Sequence, residues 1–211
     1  MAGIKTAYTN GARRGFYRLG VVLSHMGVSA NMLTAAGLAL SVVAGWLIVE
    51  GHFFWTAVAF GVAAACDGMD GAVARAGRGP TRSGAFLDST LDRISEIIVF
   101  GALAYAMADG GRMWEFVATL VCLGSALMVS YTRARAEALG TDCTVGFMSR
   151  PERLVALLVG FAFAGFEPFG VSVLTLMLLA IAVLTPLTVV RRLTYVMSRL
   201  RAAEREQSSS T

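Results

Sequence analysis

The stretch CDGMDGAVARAGRGPTRSGAFLDSTLDR, residues 66–93, is the part of this sequence from which its fold and its chemistry can be inferred. It holds four aspartates, Asp67, Asp70, Asp88 and Asp92, and long apolar segments flank it on both sides. A carboxylate is costly in an apolar environment, and ionisable residues in membrane segments commonly mark functional sites. The four aspartates therefore require a specific explanation.

The composition of the chain indicates a membrane protein. It has 211 residues, of which 56% are hydrophobic and 15% are charged, whereas soluble domains have about 45–50% apolar and about 25% charged residues. We expect an all-α integral membrane fold with six transmembrane helices. The apolar segments lie at about 32–49, 53–75, 84–108, 114–138, 152–166 and 170–192. The fifth segment is short for a span, which needs about 20 residues.

The two ends of the chain differ from this apolar body. Residues 1–30 mix basic and aromatic side chains, which predicts an N-terminal amphipathic helix at the membrane interface. A basic flank that only orients the first span is the alternative. The membrane domain is expected to cover residues 31–195. Residues 196–211 are expected to form a polar cytoplasmic tail, and its last residues, REQSSST, to be disordered.

The distribution of basic residues predicts the orientation in the membrane. With six spans, the basic residues of both termini, and those between spans two and three and between spans four and five, lie on one side, and Arg112 lies opposite. The positive-inside rule makes the basic side cytoplasmic. We therefore expect a multi-pass protein of the cytoplasmic membrane, with residues 66–93 facing the cytoplasm. No nucleic-acid partner is expected, because no nucleic-acid-binding module accompanies the charge.

The spacing of the aspartates predicts a metal site. Asp67 and Asp70 are three residues apart and Asp88 and Asp92 are four apart, so each pair shares one helix face. The Gly- and Pro-rich turn AGRGPTRSG allows the two helices to run antiparallel, and the four carboxylates then converge. Divalent cations that prefer oxygen ligands, such as Mg²⁺, Mn²⁺ or Ca²⁺, remove the repulsion between them. Two such ions can clamp a transferring phosphoryl group.

The alternative for the aspartates is a set of interfacial charges paired with Arg75, Arg82 and Arg93. That explanation suits a single aspartate better than four at helical spacing on adjacent spans. Gly71 and Gly84 also favour a binding site, because glycines leave room for a bulky ligand such as a nucleotide to approach the backbone.

The aspartates belong to a longer motif that resembles a known family. Asp67-x2-Asp70-Gly71-x2-Ala74-Arg75-x8-Gly84-x3-Asp88-x3-Asp92 is similar to the signature of the CDP-alcohol phosphotransferases at all eight fixed positions. The resemblance implies a six-span membrane enzyme, commonly a homodimer. Such an enzyme transfers a phosphatidyl-type group from a CDP-linked lipid to an alcohol and releases CMP.

The resemblance also implies roles for individual residues. Asp67, Asp70 and Asp88 resemble metal ligands for Mg²⁺ or Mn²⁺, with two ions expected. Asp92 resembles the catalytic general base and is a fourth candidate ligand. The positions that resemble those holding the CDP-lipid are Asn31, Met32, Leu33, Thr34, Asp67, Gly71, Ala74, Arg75, Thr81 and Gly84. The implied donor is CDP-diacylglycerol or CDP-archaeol.

A second resemblance concerns the acceptor. SYTRARAEALG, residues 130–140, and RPERL, residues 150–154, are similar to the corresponding segments of phosphatidylinositol phosphate synthases. Arg133, Arg153 and Arg192 resemble a basic trio that holds the phosphate of inositol 1-phosphate. The implied reaction is a metal-assisted direct displacement in which inositol 1-phosphate receives the phosphatidyl or archaetidyl group. Positive-inside charge without a ligand is the alternative for these arginines.

Two other functions stay open at this point. Glycerol 3-phosphate also carries a phosphate, so the same chemistry with that acceptor would make a phosphatidylglycerol phosphate synthase. A cation-binding membrane transporter would place its acidic groups along an ion path. The four aspartates lie near one membrane face, however, and no charged relay continues into spans five and six. This placement favours an enzyme.

Overall fold

The computed structural model describes residues 19–77, 79 and 81–209, and over these residues the chain is helical and contains no β-strand. The long helices are α1 (Ala30–Val49), α2 (Phe53–Ala76), α3 (Arg82–Asp109), α4 (Met113–Ala138), α5 (Arg150–Ala162) and α6 (Val173–Ser209), and a short 3₁₀ turn covers Pro168–Gly170. The predicted all-α fold is confirmed. Residues 19–25 are also helical. Residues 26–29 of the predicted interfacial segment are not helical and form the turn before α1, and residues 1–18 of it lie outside the described ranges.

Hydroxyl side chains define where several helices begin. The Ser29 hydroxyl accepts a hydrogen bond from the Met32 amide at 3.3 Å at the start of α1. The Thr81 hydroxyl accepts one from the Gly84 amide at 3.0 Å at the start of α3. These bonds satisfy amide groups that have no partner within their own helix. Both caps lie next to the aspartate-rich stretch and fix the backbone there.

Four helices, α1, α2, α4 and α6, are long and apolar enough to cross a membrane. Helix α3 has 28 residues, but its first half carries Asp88, Asp92, Arg93 and Glu96. Helix α5 has 13 residues, which gives about 20 Å against a hydrocarbon core of about 30 Å. The six predicted spans thus coincide with six helices, of which four have the length and composition of a span.

The chain divides into two compact units. The first comprises the residues up to Leu47 together with Trp55–Val99. Leu33 of α1 packs there against Cys66 and Val73 of α2, and all three are buried. This core holds α1 against α2 at the level of Asp67 and Asp70, so the backbone that carries these carboxylates is fixed by apolar packing.

The second unit comprises Ile48–Phe54 and the residues from Phe100 onwards. In it, α4 and α5 both pack on α6. A Cβ atom added at Gly160 of α5 would lie 3.1 Å from Leu174 Cδ1, so the absence of a side chain lets α5 approach α6 closely. Between α4 and α6, the Cys122 thiol donates a hydrogen bond to the Leu178 carbonyl at 3.4 Å.

Helix α6 continues well past the apolar segment predicted to end near residue 192. It has 37 residues, which corresponds to about 55 Å. The disorder expected for the tail is therefore wrong as far as Ser209, because the polar tail remains helical to that residue. Its alanine, glutamate, arginine and glutamine residues have high helix propensity, which explains the continuation.

Candidate functional site

Three of the four aspartates meet at one place in the first unit. Each of Asp67, Asp70 and Asp88 offers a carboxylate oxygen, and these oxygens lie within 4.8 Å of one another. Asp70 is buried, and Asp67 and Asp88 are half-buried. Since two of them come from the end of α2 and the third from the start of α3, the connection between these helices brings the carboxylates together.

The fourth aspartate, Asp92, lies one turn beyond Asp88 on α3 and does not belong to this set of three. Its carboxylate lies 3.8 Å from the Arg93 guanidinium, which also donates a hydrogen bond to the Ser89 carbonyl. The sequence predicts four converging carboxylates. The structure brings three together and places the fourth on the same face of α3, one turn further along.

The three carboxylates suit a hard divalent cation. Asp88 Oδ1 is buried and accepts no hydrogen bond from any residue that the structure describes. Asp70 Oδ2 accepts a hydrogen bond from the Thr34 hydroxyl at 3.1 Å. One hydroxyl does not neutralise three negative charges, whereas a bound divalent cation would offset them. Such a cation would also be coordinated by Asp88 Oδ1, which would then no longer be buried without a partner. Oxygen-only donors favour Mg²⁺ or Mn²⁺ over zinc.

A cleft of about 690 Å³ lies beside the aspartates. Small-molecule sites commonly have volumes of about 300–1,000 Å³. The residues named from the sequence that line this cleft are Asn31, Thr34, Asp70, Gly71, Ala74, Thr81, Gly84 and Asp88. One cleft therefore combines candidate metal ligands with space for a ligand the size of a nucleotide.

Two glycines keep this cleft open. A Cβ atom added at Gly84 would lie 2.9 Å from Thr81 Oγ1 and 3.6 Å from Asn31 Oδ1. A Cβ atom added at Gly71 would lie 3.3 Å from Nη1 of Arg75, so the Arg75 guanidinium lies over this glycine. A side chain would crowd a neighbouring polar group at both positions, Thr81 at Gly84 and Arg75 at Gly71.

Met32 and Leu33 do not line the cleft. Met32 is exposed, and Leu33 belongs to the apolar core between α1 and α2. Successive residues of a helix are rotated by about 100°, so Asn31 and Thr34 share one face and the two residues between them point elsewhere. Leu33 therefore acts on this site by fixing α1 rather than by contact with a ligand in the cleft.

Sequence reasoning missed the segment that precedes α1. Ser24, Gly27, Val28 and Ser29 line the cleft. The sequence feature that could have pointed to this segment is Ser29, because a serine directly before an apolar run is typical of a helix N-cap. Recognising that cap would have placed the preceding turn next to Asn31.

The three candidate arginines lie in the second unit, on α4, α5 and α6. Arg192 is close enough to Arg133 and to Arg153 for their charges to interact. Arg153 and Arg192 are buried, with 1% and 3% of their surface exposed, whereas Arg133 is exposed and pairs with Glu137 at 2.8 Å. Arg192 thus lies near two other positive charges, which is an arrangement that can attract an anion.

The Arg192 guanidinium is held by backbone carbonyl groups. Its Nε donates to the Val145 carbonyl at 2.9 Å, and Nη1 donates to the Val129 carbonyl at 2.6 Å. A guanidinium has five N–H donors, so these two bonds orient the group and leave further donors for a ligand. The structure therefore assigns Arg192 a structural contact in addition to its charge.

The chain is similar to a known protein family and to individual enzymes. A family model described as CDP-alcohol phosphatidyltransferase matches residues 27–193, which confirms the resemblance carried by the Asp67–Asp92 motif. A phosphatidylinositol phosphate synthase of Mycobacteroides abscessus is 42% identical over 156 residues, which cover 73% of this chain and 70% of the relative. An archaetidylinositol phosphate synthase of Methanothermobacter thermautotrophicus is 35% identical over 183 residues, covering 85% of this chain and 89% of the relative.

Solved structures show a similar fold. The crystal structure of Mycobacterium tuberculosis phosphatidylinositol phosphate synthase with CDP-DAG bound gives a TM-score of 0.78 at 36% identity, covering 87% of this chain and 94% of that one. A second structure of that enzyme, in complex with manganese and citrate, gives a TM-score of 0.76 at 35% identity, covering 86% and 88%.

Replacing Asp70 by asparagine should weaken Mn²⁺ binding, because the variant loses a negative charge and a ligand oxygen at the cluster. We expect the affinity for Mn²⁺ to fall at least about tenfold. Mutation of residues that only support a metal ligand already costs about 10–100-fold in affinity, so loss of a direct ligand should cost no less. Titration calorimetry of the purified protein with Mn²⁺ measures this. Asp109→Asn, at an exposed carboxylate at the far end of α3, is the matched control. Equal affinities in both variants would contradict the metal assignment.

Proposed function

Because the chain belongs to the CDP-alcohol phosphatidyltransferase family, we propose that it transfers a phosphatidyl or archaetidyl group from a CDP-linked lipid to inositol 1-phosphate and releases CMP. The observation that carries the proposal is the meeting of Asp67, Asp70 and Asp88 beside a cleft of about 690 Å³. Two relatives named for synthesis of phosphatidylinositol phosphate and archaetidylinositol phosphate support the choice of acceptor.

The first part of the proposal concerns the metal. Asp67, Asp70 and Asp88 would hold Mg²⁺ or Mn²⁺, and Asp92 would be a fourth ligand if two ions bind. When bound, such ions neutralise the diphosphate of the CDP-lipid and stabilise the departing CMP. The Thr34 hydroxyl keeps the Asp70 carboxylate oriented through its 3.1 Å hydrogen bond. The manganese in the similar Mycobacterium tuberculosis structure supports this choice of ion.

The second part concerns the nucleotide. Asn31, Thr34 and Ala74 line the cleft together with Gly71, Thr81 and Gly84. The donor bound there would be CDP-diacylglycerol or CDP-archaeol. Arg75, whose guanidinium lies over Gly71, can form paired hydrogen bonds with phosphate oxygens. Met32 and Leu33 would act through the position of α1.

The third part concerns proton transfer. Asp92 would accept the proton of the attacking inositol hydroxyl. The hydroxyl oxygen forms a new bond to the phosphorus next to the lipid, the phosphoanhydride bond breaks, and CMP leaves with the electron pair. Asp92 lies on the same face of α3 as Asp88 and one turn away, which suits a base that acts beside the metal ligands.

The fourth part concerns the acceptor. Arg133, Arg153 and Arg192 would bind the phosphate of inositol 1-phosphate, and the interaction of Arg192 with both other arginines in the second unit supports this. Glycerol 3-phosphate has the same anionic group and stays the second candidate. Membership of an enzyme family argues against the cation transporter considered from the sequence alone.

The proposal also includes the setting of the enzyme. The family and the four long apolar helices make the chain a multi-pass membrane protein. We propose six spans, the cytoplasmic membrane, and an active site on the cytoplasmic side, as the distribution of arginines favours. A homodimer, implied by the family resemblance, belongs to the same proposal.

The acceptor assignment is tested with purified protein, CDP-diacylglycerol and Mn²⁺. We expect labelled inositol 1-phosphate to enter the lipid fraction, with a product mass equal to phosphatidylinositol phosphate and one CMP released per lipid formed. Mass spectrometry and CMP release measure this. Turnover with glycerol 3-phosphate or serine but not with inositol 1-phosphate would overturn the acceptor and keep the reaction class.

Asp92→Asn should retain CDP-lipid binding and Mn²⁺ binding at the cluster of Asp67, Asp70 and Asp88, and should lose turnover by about 10²–10⁴-fold, because an amide does not accept the hydroxyl proton. Single-turnover assays and CDP-dependent thermal stabilisation measure the two properties separately. Asp109→Asn serves again as the control. Full activity in Asp92→Asn would remove the residue from the mechanism.

Arg133→Gln should raise the KM for inositol 1-phosphate about tenfold, since a charge-assisted hydrogen bond is lost, and should change the KM for the CDP-lipid little. Arg133 is exposed, so the fold should tolerate the change. Arg135→Gln, at an exposed arginine of the same helix, is the matched control. Equal changes in the KM of both substrates would count against a phosphate contact.

A further inference from the structure

Two buried threonines of α6 differ in what their hydroxyl groups do. Both Thr185 and Thr188 have 0% of their surface exposed. The Thr188 hydroxyl donates to the Leu184 carbonyl at 2.8 Å and accepts the amides of Phe147 at 3.1 Å and Met148 at 2.9 Å. The donor and both acceptor positions of this hydroxyl are thus used. The Thr185 hydroxyl has no hydrogen-bond partner among the residues described.

The amides that Thr188 accepts belong to the segment 140–149, which connects α4 to α5. Two further residues of α6 hold the same segment. Arg192 donates to the Val145 carbonyl at 2.9 Å, and the Arg191 guanidinium lies 4.7 Å from the centre of the Phe147 ring. One face of α6 therefore carries three separate contacts to residues 145–148.

The segment is shaped to approach Thr188 closely. At Gly146 the φ angle is +148°, a conformation that side-chain-bearing residues rarely adopt. A Cβ atom at this position would collide with the Thr188 methyl group. The glycine thus allows the backbone to lie against α6, where the next two amides reach the Thr188 hydroxyl.

The same segment lies among the candidate acceptor arginines. It contacts Arg192 directly through the Val145 carbonyl, and its residue Cys143 is fully buried. Beyond Met148 the chain enters α5, where Ser149 and Glu152 form a capping box one residue before Arg153. The segment therefore contacts Arg192 and leads directly into the cap of the helix that carries Arg153.

We propose that Thr188 is a positioning residue for the acceptor site: its hydroxyl anchors residues 145–148 and thereby sets the spacing of Arg133, Arg153 and Arg192. This inference rests on the proposed function, because it takes the three arginines as the site for the phosphate of the acceptor. Thr188 itself contacts no substrate in this proposal.

The test replaces the hydroxyl by a methyl group of similar size. Thr188→Val leaves the buried amide of Met148 and the partly buried amide of Phe147 without their acceptor, so the segment loosens. We expect the KM for inositol 1-phosphate to rise about tenfold, with the KM for CDP-diacylglycerol within about twofold of wild type. Thr188→Ser, which keeps the hydroxyl, should restore most of the acceptor affinity. Gly146→Ala disturbs the same contact from the segment side and should give the same split between the two KM values.

Thr185→Val is the matched control, since it removes from the same helix a buried hydroxyl that has no hydrogen-bond partner within the described part of the chain. It should leave both KM values unchanged. If Thr188 had a purely structural role, Thr188→Val would raise the KM values of both substrates alike, or Thr185→Val would have the same effect as Thr188→Val. Either result would overturn the proposal. So would failure of Thr188→Ser to recover acceptor affinity.

Hydrogen exchange separates this inference from the acceptor assignment, because it needs no substrate. The amides of Phe147 and Met148 should exchange faster in Thr188→Val than in wild type or Thr185→Val. If inositol 1-phosphate is not used but glycerol 3-phosphate is, the acceptor assignment fails, and the same KM comparison is made with glycerol 3-phosphate. Unchanged exchange in the segment would overturn the positioning role whichever acceptor is used.

Discussion

Three carboxylates that lie within 4.8 Å of one another repel strongly in a largely apolar protein, and the site depends on how the fold keeps them there. Apolar packing between α1 and α2, together with the caps at the start of α1 and α3, offsets this electrostatic repulsion by fixing the backbone near the carboxylates. Leu33 and Val73 hold the helices together at the level of the aspartates. A divalent cation would then turn mutual repulsion into shared coordination, which is the basis of the proposed chemistry.

Small residues determine what can enter the cleft. Gly84 and Gly71 leave space where a Cβ atom would crowd Thr81 and Arg75, respectively. The Thr81 hydroxyl, which caps α3, lies in the lining of the cleft. The Arg75 guanidinium lies over Gly71. Helix geometry also divides the neighbouring stretch, because Asn31 and Thr34 face the cleft while Leu33 packs into the core.

The second unit places positive charge in a different way. Arg192 is buried and oriented by the carbonyl groups of Val129 and Val145. A guanidinium held by neutral carbonyl groups keeps its full charge, so it can still attract an anion. The segment 140–149 supplies one of those carbonyl groups and is itself held by Thr188. The backbone position of the segment 140–149 thus helps to set the position of the Arg192 charge.

Much of this protein could be predicted from the sequence. The apolar segments predict the six helices, and the helical spacing within the pairs Asp67/Asp70 and Asp88/Asp92 predicts four converging carboxylates, of which the structure brings three together. Tertiary structure alone decided that Asp92 lies outside the set of three, that Leu33 faces the core, and that Thr188 differs from Thr185. These outcomes depend on which residues approach from distant parts of the chain, and local periodicity contains no information about such contacts.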